Sequence, residues 1–243
     1  MFINLTRYPV LHRKIKKVIY FNRFMVIFLS GGGSGEKSKE IDLAFINEIN
    51  KDKPVLYIPL ARKAPYDSCM NWIKSNFQPL NFSNFEMIES LEKLKNIDLS
   101  KYSGVYIGGG NTYKLLKELQ ESKFMGTLKR YIKKGGIFYG GSAGAIILGK
   151  DIKSSDSKNE CNLLDTKGLN LISNFSVYCH YKEEDDQKVQ DYIKQTNSKI
   201  LALPENAGIL IECLKMKVIG PGNIFFFDKS DKKVFAPRSI INL

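Results

Sequence analysis

The sequence predicts an α/β domain built as a three-layer, doubly wound and mostly parallel sheet. Three observations lead there. From residue 25 to about residue 149, short apolar runs alternate with segments whose apolar residues recur at helical spacing, the pattern of βαβ units. Several runs end in glycine-rich loops, at residues 31–35, 108–110 and 140–141, and ligands of such sheets bind at the carboxyl ends of strands. The chain of 243 residues, 43% hydrophobic and 26% charged, has the size of one such domain, and no apolar run approaches the ~20 residues that a membrane-spanning helix needs.

In chain order, residues 25–30 read as a buried strand, 31–35 as a glycine loop, and 36–50 as a helix carrying Ile41, Phe45, Ile46 and Ile49. Strand, glycine loop and helix invite a nucleotide reading. The spacing is not GxGxxG, however, and no Gly-Lys-Ser/Thr follows, so the loop is read as a tight turn at the sheet's edge. Residues 54–60 form the next buried strand, 66–77 a helix and 85–88 a strand. Residues 102–107 are a strand that runs into Gly108-Gly109-Gly110-Asn111-Thr112, and the helix 113–121 follows with Leu115, Leu116 and Leu119 on one face. A helix at 124–134 is closed by Gly135-Gly136. Residues 137–148 are a strand turning sharply into a helix. Residues 150–162 are polar loop. Residues 175–180 are a strand with His180 at its end, and the acidic run 183–186 opens a helix whose dipole it complements. Residues 199–204 are a strand delivering Glu205, 208–220 a hairpin, and Phe225-Phe226-Phe227 the final strand.

The net charge is +12, and half of it falls in residues 1–24, where Arg7, Arg13, Lys14, Lys16, Lys17 and Arg23 face no acid. That stretch lacks the apolar core and cleavage site of a secretory signal. It is expected to be an extension outside a single domain at 25–243, with Met25 a natural start. The remainder is mildly basic without a nucleic-acid motif. Cys69, Cys161, Cys179 and Cys213 show no CxxC or metal spacing, which suggests reduced thiols in a cytoplasmic protein. No metal, cofactor, nucleic-acid or membrane partner is expected.

The chemistry centres on Gly140-Gly141-Ser142-Ala143-Gly144. A serine on a strand-to-helix turn between glycines fits the nucleophile-elbow pattern, which exposes the hydroxyl beside free backbone N–H groups. A serine hydroxyl needs an imidazole to take its proton and a carboxylate to orient that imidazole. His180 is the only histidine after Met25, and Glu205 stands at a strand end. Each has a plainer reading taken singly: a tight turn, a hydrogen-bonded histidine, a solvated carboxylate.

Tyr106-Ile107-Gly108-Gly109-Gly110-Asn111-Thr112, the GSAGA segment at Ser142, and Leu203-Pro204-Glu205-Asn206 together resemble peptidase family S51 over residues 25–228. The resemblance implies a fold like class I glutamine amidotransferase domains and a serine-type peptidase acting on small peptides, aspartyl dipeptides foremost. It makes Ser142 the nucleophile, His180 the base and Glu205 the acid. Gly109, Gly110, Asn111 and Ala143 become the oxyanion and substrate-binding positions. Asp156 is a second candidate for the acid. No motif places the cation for a substrate carboxylate; Arg62 and Lys63, at a strand end, are guesses. A cyanophycinase-like hydrolase, a non-catalytic metabolite-binding relative, and a nucleotide-binding protein are the other readings. The protein is expected to be a monomer or homodimer.

Overall fold

A computed structural model describes residues 25–229 and 231–242; the basic stretch 1–24 lies outside them. The elements in order are β1 (Val26–Ser30), α1 (Lys39–Glu48), β2 (Val55–Ile58), α2 (Asp67–Phe77), β3 (Phe85–Met87), α3 (Leu91–Lys95), β4 (Gly104–Ile107), α4 (Thr112–Glu121), α5 (Phe124–Lys133), β5 (Ile137–Gly141) and α6 (Ala143–Ile146). Then follow β6 (Phe175–Cys179), α7 (Asp186–Thr196), β7 (Lys199–Leu203), β8 (Gly208–Glu212), β9 (Lys215–Ile219), β10 (Ile224–Phe227), β11 (Lys232–Phe235) and β12 (Ile240–Asn242).

Among the described residues the strands lie in two sheets. The larger runs β12-β9-β8-β1-β5-β4-β2-β3. Its β1, β5, β4, β2 and β3 are parallel, and β8, β9 and β12 continue it antiparallel. Period-two alternation sorts the strand residues between the faces. Phe28, Tyr57, Tyr106 and Tyr139 pack against α1 and α2, through Phe45, Ile73 and Phe77 among others. Leu29, Ile58, Val105 and Phe138 pack on the opposite face against α4 and α5, through Leu115, Leu119, Leu128 and Ile132. Helices on both faces explain why the parallel strands β1, β2, β4 and β5 are apolar almost throughout.

The second sheet, β11-β10-β7-β6, is not visible in the sequence. Its β6 and β7 run parallel. Val177, Cys179, Leu201 and Leu203 join the core on the α4–α5 face of the large sheet, while Tyr178, Ile200 and Phe227 pack against α7. Phe225–Phe227 is not the final strand. Exposed β11 pairs with β10, and β12 extends the large sheet beyond β9. Both are short strands with exposed or half-buried residues, so they lack the apolar signal of the interior ones. The loop at 31–35 is not at the sheet's edge either. It leaves β1 between β5 and β8, in the sheet's interior.

Candidate active site

Ser142 stands between β5 and α6 with φ +50° and ψ −109°, a strained conformation for a residue with a side chain. Its neighbours make the turn possible: a Cβ on Gly144 would sit 2.2 Å from the Ile107 carbonyl oxygen. Ser142 N–H donates to the Ser30 carbonyl at 3.1 Å, which fixes the turn against β1.

β6 ends one residue before His180, which also takes positive φ, +57°, and donates its N–H to the Gly31 carbonyl at 2.9 Å. The turn after β7 presents Glu205. A row of hydrogen bonds joins the three side chains. Ser142 Oγ lies 2.8 Å from His180 Nε2, and His180 Nδ1 lies 3.1 Å from Glu205 Oε1. The other carboxylate oxygen, Oε2, accepts from Lys37 Nζ at 2.6 Å. An imidazole so held can take a proton at Nε2 while its Nδ1–H stays on a carboxylate.

The glycine loop after β1 is part of this arrangement. A Cβ on Gly32 would lie 2.4 Å from His180 Cε1, and Gly32 has φ +106°, so glycine alone fits beneath the imidazole. Gly31 N–H donates to the Ala207 carbonyl at 3.0 Å, which ties the loop to the Glu205 turn. A reading confined to local motifs misses this role, because the imidazole comes from a distant strand.

Asp156 is near the site but is not hydrogen-bonded to the imidazole. It accepts from Tyr178 Oη at 3.0 Å and pairs with Lys188, while the imidazole nitrogen Nδ1 faces Glu205. Asn111, expected near the substrate, also holds the start of α4. Its Oδ1 caps α4 by accepting from Lys114 N–H at 3.0 Å, and its Nδ2 donates to the Lys158 carbonyl at 2.9 Å. Both ends of its amide are thereby engaged. Gly109 passes close to the serine: a Cβ at this position would lie 3.1 Å from Ser142 Cβ. Gly108 and Asn111 pin that loop through the Ile58 and Ala61 carbonyls. The amides of Gly109, Gly110 and Ala143 have no backbone acceptor among the described residues.

A cavity of about 520 Å³ opens in front of Ser142 and His180. Tyr57, Trp72 and Tyr106 wall it, Arg62 and Lys63 are its cationic lining residues, and no carboxylate lines it among the described residues. Arg62 Nε donates to the Gly109 carbonyl at 3.0 Å. A smaller cavity of about 270 Å³, with Thr112, Ser155, Asp156 and Ser157, reaches Ser142 and His180 from another side. Among the described residues no group of three or more His, Cys, Asp or Glu gathers as a metal site would require, and no helix is long and apolar enough to cross a membrane.

The Lys37 ammonium, followed by His180, holds the Glu205 carboxyl below the usual carboxylate range. A depressed acid keeps its charge until the pH has fallen below its ordinary value. Lys37→Met should let Glu205 take up its proton at higher pH, so the acid side of a kcat/KM profile should move upward; Lys37→Arg should restore it. Lys37 carries no sequence signal, being one lysine on a polar helix approach.

The model of peptidase family S51 matches residues 26–219. Peptidase E of Nostoc sp. is 25% identical over 192 residues, which cover 74% of this chain and 78% of the relative. A probable alpha-aspartyl dipeptidase of Drosophila melanogaster is 22% identical over 72% of this chain and 76% of its own. In fold, the chain resembles a peptidase from an acI-B1 actinobacterium, with a TM-score of 0.69 and 18% identity over 93% of this chain and all of that one. It also resembles a Listeria monocytogenes EGD-e protein described as peptidase E, with a TM-score of 0.62 and 24% identity over 82% of this chain and all of that one.

Proposed function

The chain belongs to peptidase family S51 and is a serine-type peptidase acting on small peptides, and from that premise we propose that it hydrolyses aspartyl dipeptides through Ser142, His180 and Glu205. The observation that carries this reading is the continuous hydrogen-bonded row from Ser142 Oγ to Glu205, set in a cavity whose charged lining is Arg62 and Lys63.

In this mechanism His180 Nε2 takes the Ser142 proton as Oγ attacks the peptide carbonyl. Glu205 holds the imidazole by Nδ1 and stabilises the imidazolium. The amides of Gly109 and Ala143 are the proposed donors to the developing oxyanion. His180 then protonates the leaving amine, and water repeats the sequence on the acyl-enzyme. The two cavities meeting at Ser142 provide separate room for the acyl and leaving parts of a dipeptide.

The relatives named peptidase E and alpha-aspartyl dipeptidase favour an acidic first residue, and the cationic lining supports it. Arg62→Met should raise KM for Asp-Leu by about tenfold through the lost ion pair, and should lower kcat as well, because Arg62 also holds the carbonyl of Gly109, whose amide is a proposed oxyanion donor. Free thiols at Cys69, Cys161, Cys179 and Cys213 support a reducing, cytoplasmic setting.

The test is hydrolysis of Asp-Leu, Leu-Leu and β-Asp-Arg by the wild type beside Ser142→Ala. Cleavage of Asp-Leu alone supports the proposal. Preference for β-Asp-Arg would move the substrate to the cyanophycin-like class. If no peptide is cleaved, the aspartyl reading fails.

A further inference from the structure

Gly109 supplies one of the proposed oxyanion donors, and Arg62, which lines the substrate cavity, also holds the Gly109 carbonyl. We propose that Arg62 is a positioning residue that makes recognition of a substrate carboxylate and completion of the oxyanion hole a single event. This rests on the serine peptidase reading above, and it deepens the aspartyl one by giving the substrate's acid a role in kcat.

The loop that carries the donor cannot stiffen itself. Gly108, Gly109 and Gly110 follow one another, and a side chain that would restrain the backbone is excluded. A Cβ on Gly110 would lie 2.4 Å from the Ala61 carbonyl oxygen, and Gly110 has φ +144°. The ends of the run are fixed. Gly108 N–H donates to the Ile58 carbonyl at 3.3 Å, and Asn111 N–H donates to the Ala61 carbonyl at 2.8 Å. Between them, the Gly109 carbonyl has one hydrogen bond among the described residues, from Arg62 Nε at 3.0 Å. The peptide plane after Gly109 is therefore set from outside, and with it the lie of the glycine run against Ser142.

The loop that bears Arg62 is itself well held. Arg62 N–H donates to the Pro59 carbonyl at 2.8 Å, and the Leu60 carbonyl accepts from Lys114 Nζ at 2.8 Å. The base of the arginine is firm while the residue is exposed. A guanidinium has five N–H donors in a rigid plane. Nε–H is used on Gly109, and the Nη groups have no protein acceptor among the described residues. A carboxylate gripped by both Nη atoms fixes the plane of the guanidinium, and the same plane aims Nε–H at the Gly109 carbonyl. Without that anion, one hydrogen bond must hold a long exposed side chain against the rotamer freedom it would otherwise keep. Lys63, the other cation of the cavity, makes no hydrogen bond to the glycine run among the described residues. An aspartyl side chain on Arg62 thus strengthens binding of the transition state more than that of the ground state, which raises kcat. The plainer reading, that Arg62 only props the glycine loop, predicts equal losses for every substrate and no response to an anion.

The test separates the anion from the substrate. Gly-Leu is Asp-Leu without its carboxymethyl group, and acetate is the missing piece. A fluorophosphonate carries no carboxylate, and its phosphoryl oxygen takes the oxyanion's place as Ser142 displaces fluoride. Its labelling rate is followed in sodium acetate and in sodium chloride of equal ionic strength. Acetate should speed labelling of the wild type about fivefold. It should leave the rate of Arg62→Lys unchanged, since an ammonium can take the anion but has no fork that also fixes Gly109. With dipeptides, kcat of the wild type should be about tenfold higher on Asp-Leu than on Gly-Leu, and Arg62→Lys should lose most of that difference. If acetate acts through Arg62 while Asp-Leu is cleaved no faster than Leu-Leu, the coupling stands and the aspartyl reading fails. Labelling that ignores acetate, or that acetate speeds equally in Arg62→Lys, overturns the coupling. If Asp-Leu is then still preferred, through KM alone, the aspartyl reading survives it.

Discussion

Replacing Ser142 with alanine is expected to lower kcat by about 10⁴- to 10⁶-fold, the range seen when a nucleophile is removed from a serine–histidine–acid site. The loss should be confined to chemistry. Alanine fits the same turn, because the Gly144 passage and the N–H bond to Ser30 do not involve the hydroxyl. KM should change little, and thermal unfolding should shift by no more than about a degree or two. His180 loses the hydroxyl that faces Nε2 at 2.8 Å, but keeps Glu205 and its backbone bond to Gly31. Steady-state rates on any dipeptide that the wild type cleaves, read beside the unfolding curves, check both parts.

Glu205→Gln should lower kcat by about 10³- to 10⁴-fold, whereas Asp156→Asn should stay within about tenfold of the wild type. The contrast follows from where each carboxylate points. Glu205 accepts from the imidazole at 3.1 Å and from Lys37 at 2.6 Å. A glutamine cannot serve both, since one of its two terminal atoms is a donor facing another donor, and the imidazolium formed in the reaction loses its counter-charge. Asp156 is engaged by Tyr178 and Lys188, so its replacement disturbs a neighbouring cavity wall without touching the imidazole. Rates for the two variants on one substrate decide which acid serves His180; equal losses would contradict this assignment.

The difference between these two acids illustrates what a sequence reveals. Ser142 is legible because its turn imposes glycines on both sides within a few residues. His180 is legible because a domain with one histidine offers no competitor. Glu205 can be preferred over Asp156 since it follows an apolar run, but choosing between them needs the imidazole's direction. The parallel core strands stand out for a related reason: burial on both faces makes them continuously apolar. The separation of β6 and β7 into a second sheet does not stand out, because a strand's apolar pattern is the same in either sheet.

The features that the sequence hides have a common physical source. Gly31–Gly35 resembles any tight turn until His180 is placed over Gly32. Asn111 follows a glycine loop and precedes a helix, a position that suits a cap and a ligand equally, and its hydrogen bonds with the Lys114 N–H and the Lys158 carbonyl are visible only in the folded chain. Lys37 gains its place only through Glu205. Each of these roles depends on a contact between segments that the chain brings together only on folding.

The central claim is that His180 and Glu205 activate Ser142. A fluorophosphonate probe, followed by intact-protein mass and peptide mapping, tests it without knowledge of the substrate. A single adduct on Ser142 is expected in the wild type, none in Ser142→Ala, and labelling slowed by at least about a hundredfold in His180→Ala. A wild-type protein left unlabelled, an adduct on another residue, or equal labelling rates with and without His180 would contradict it.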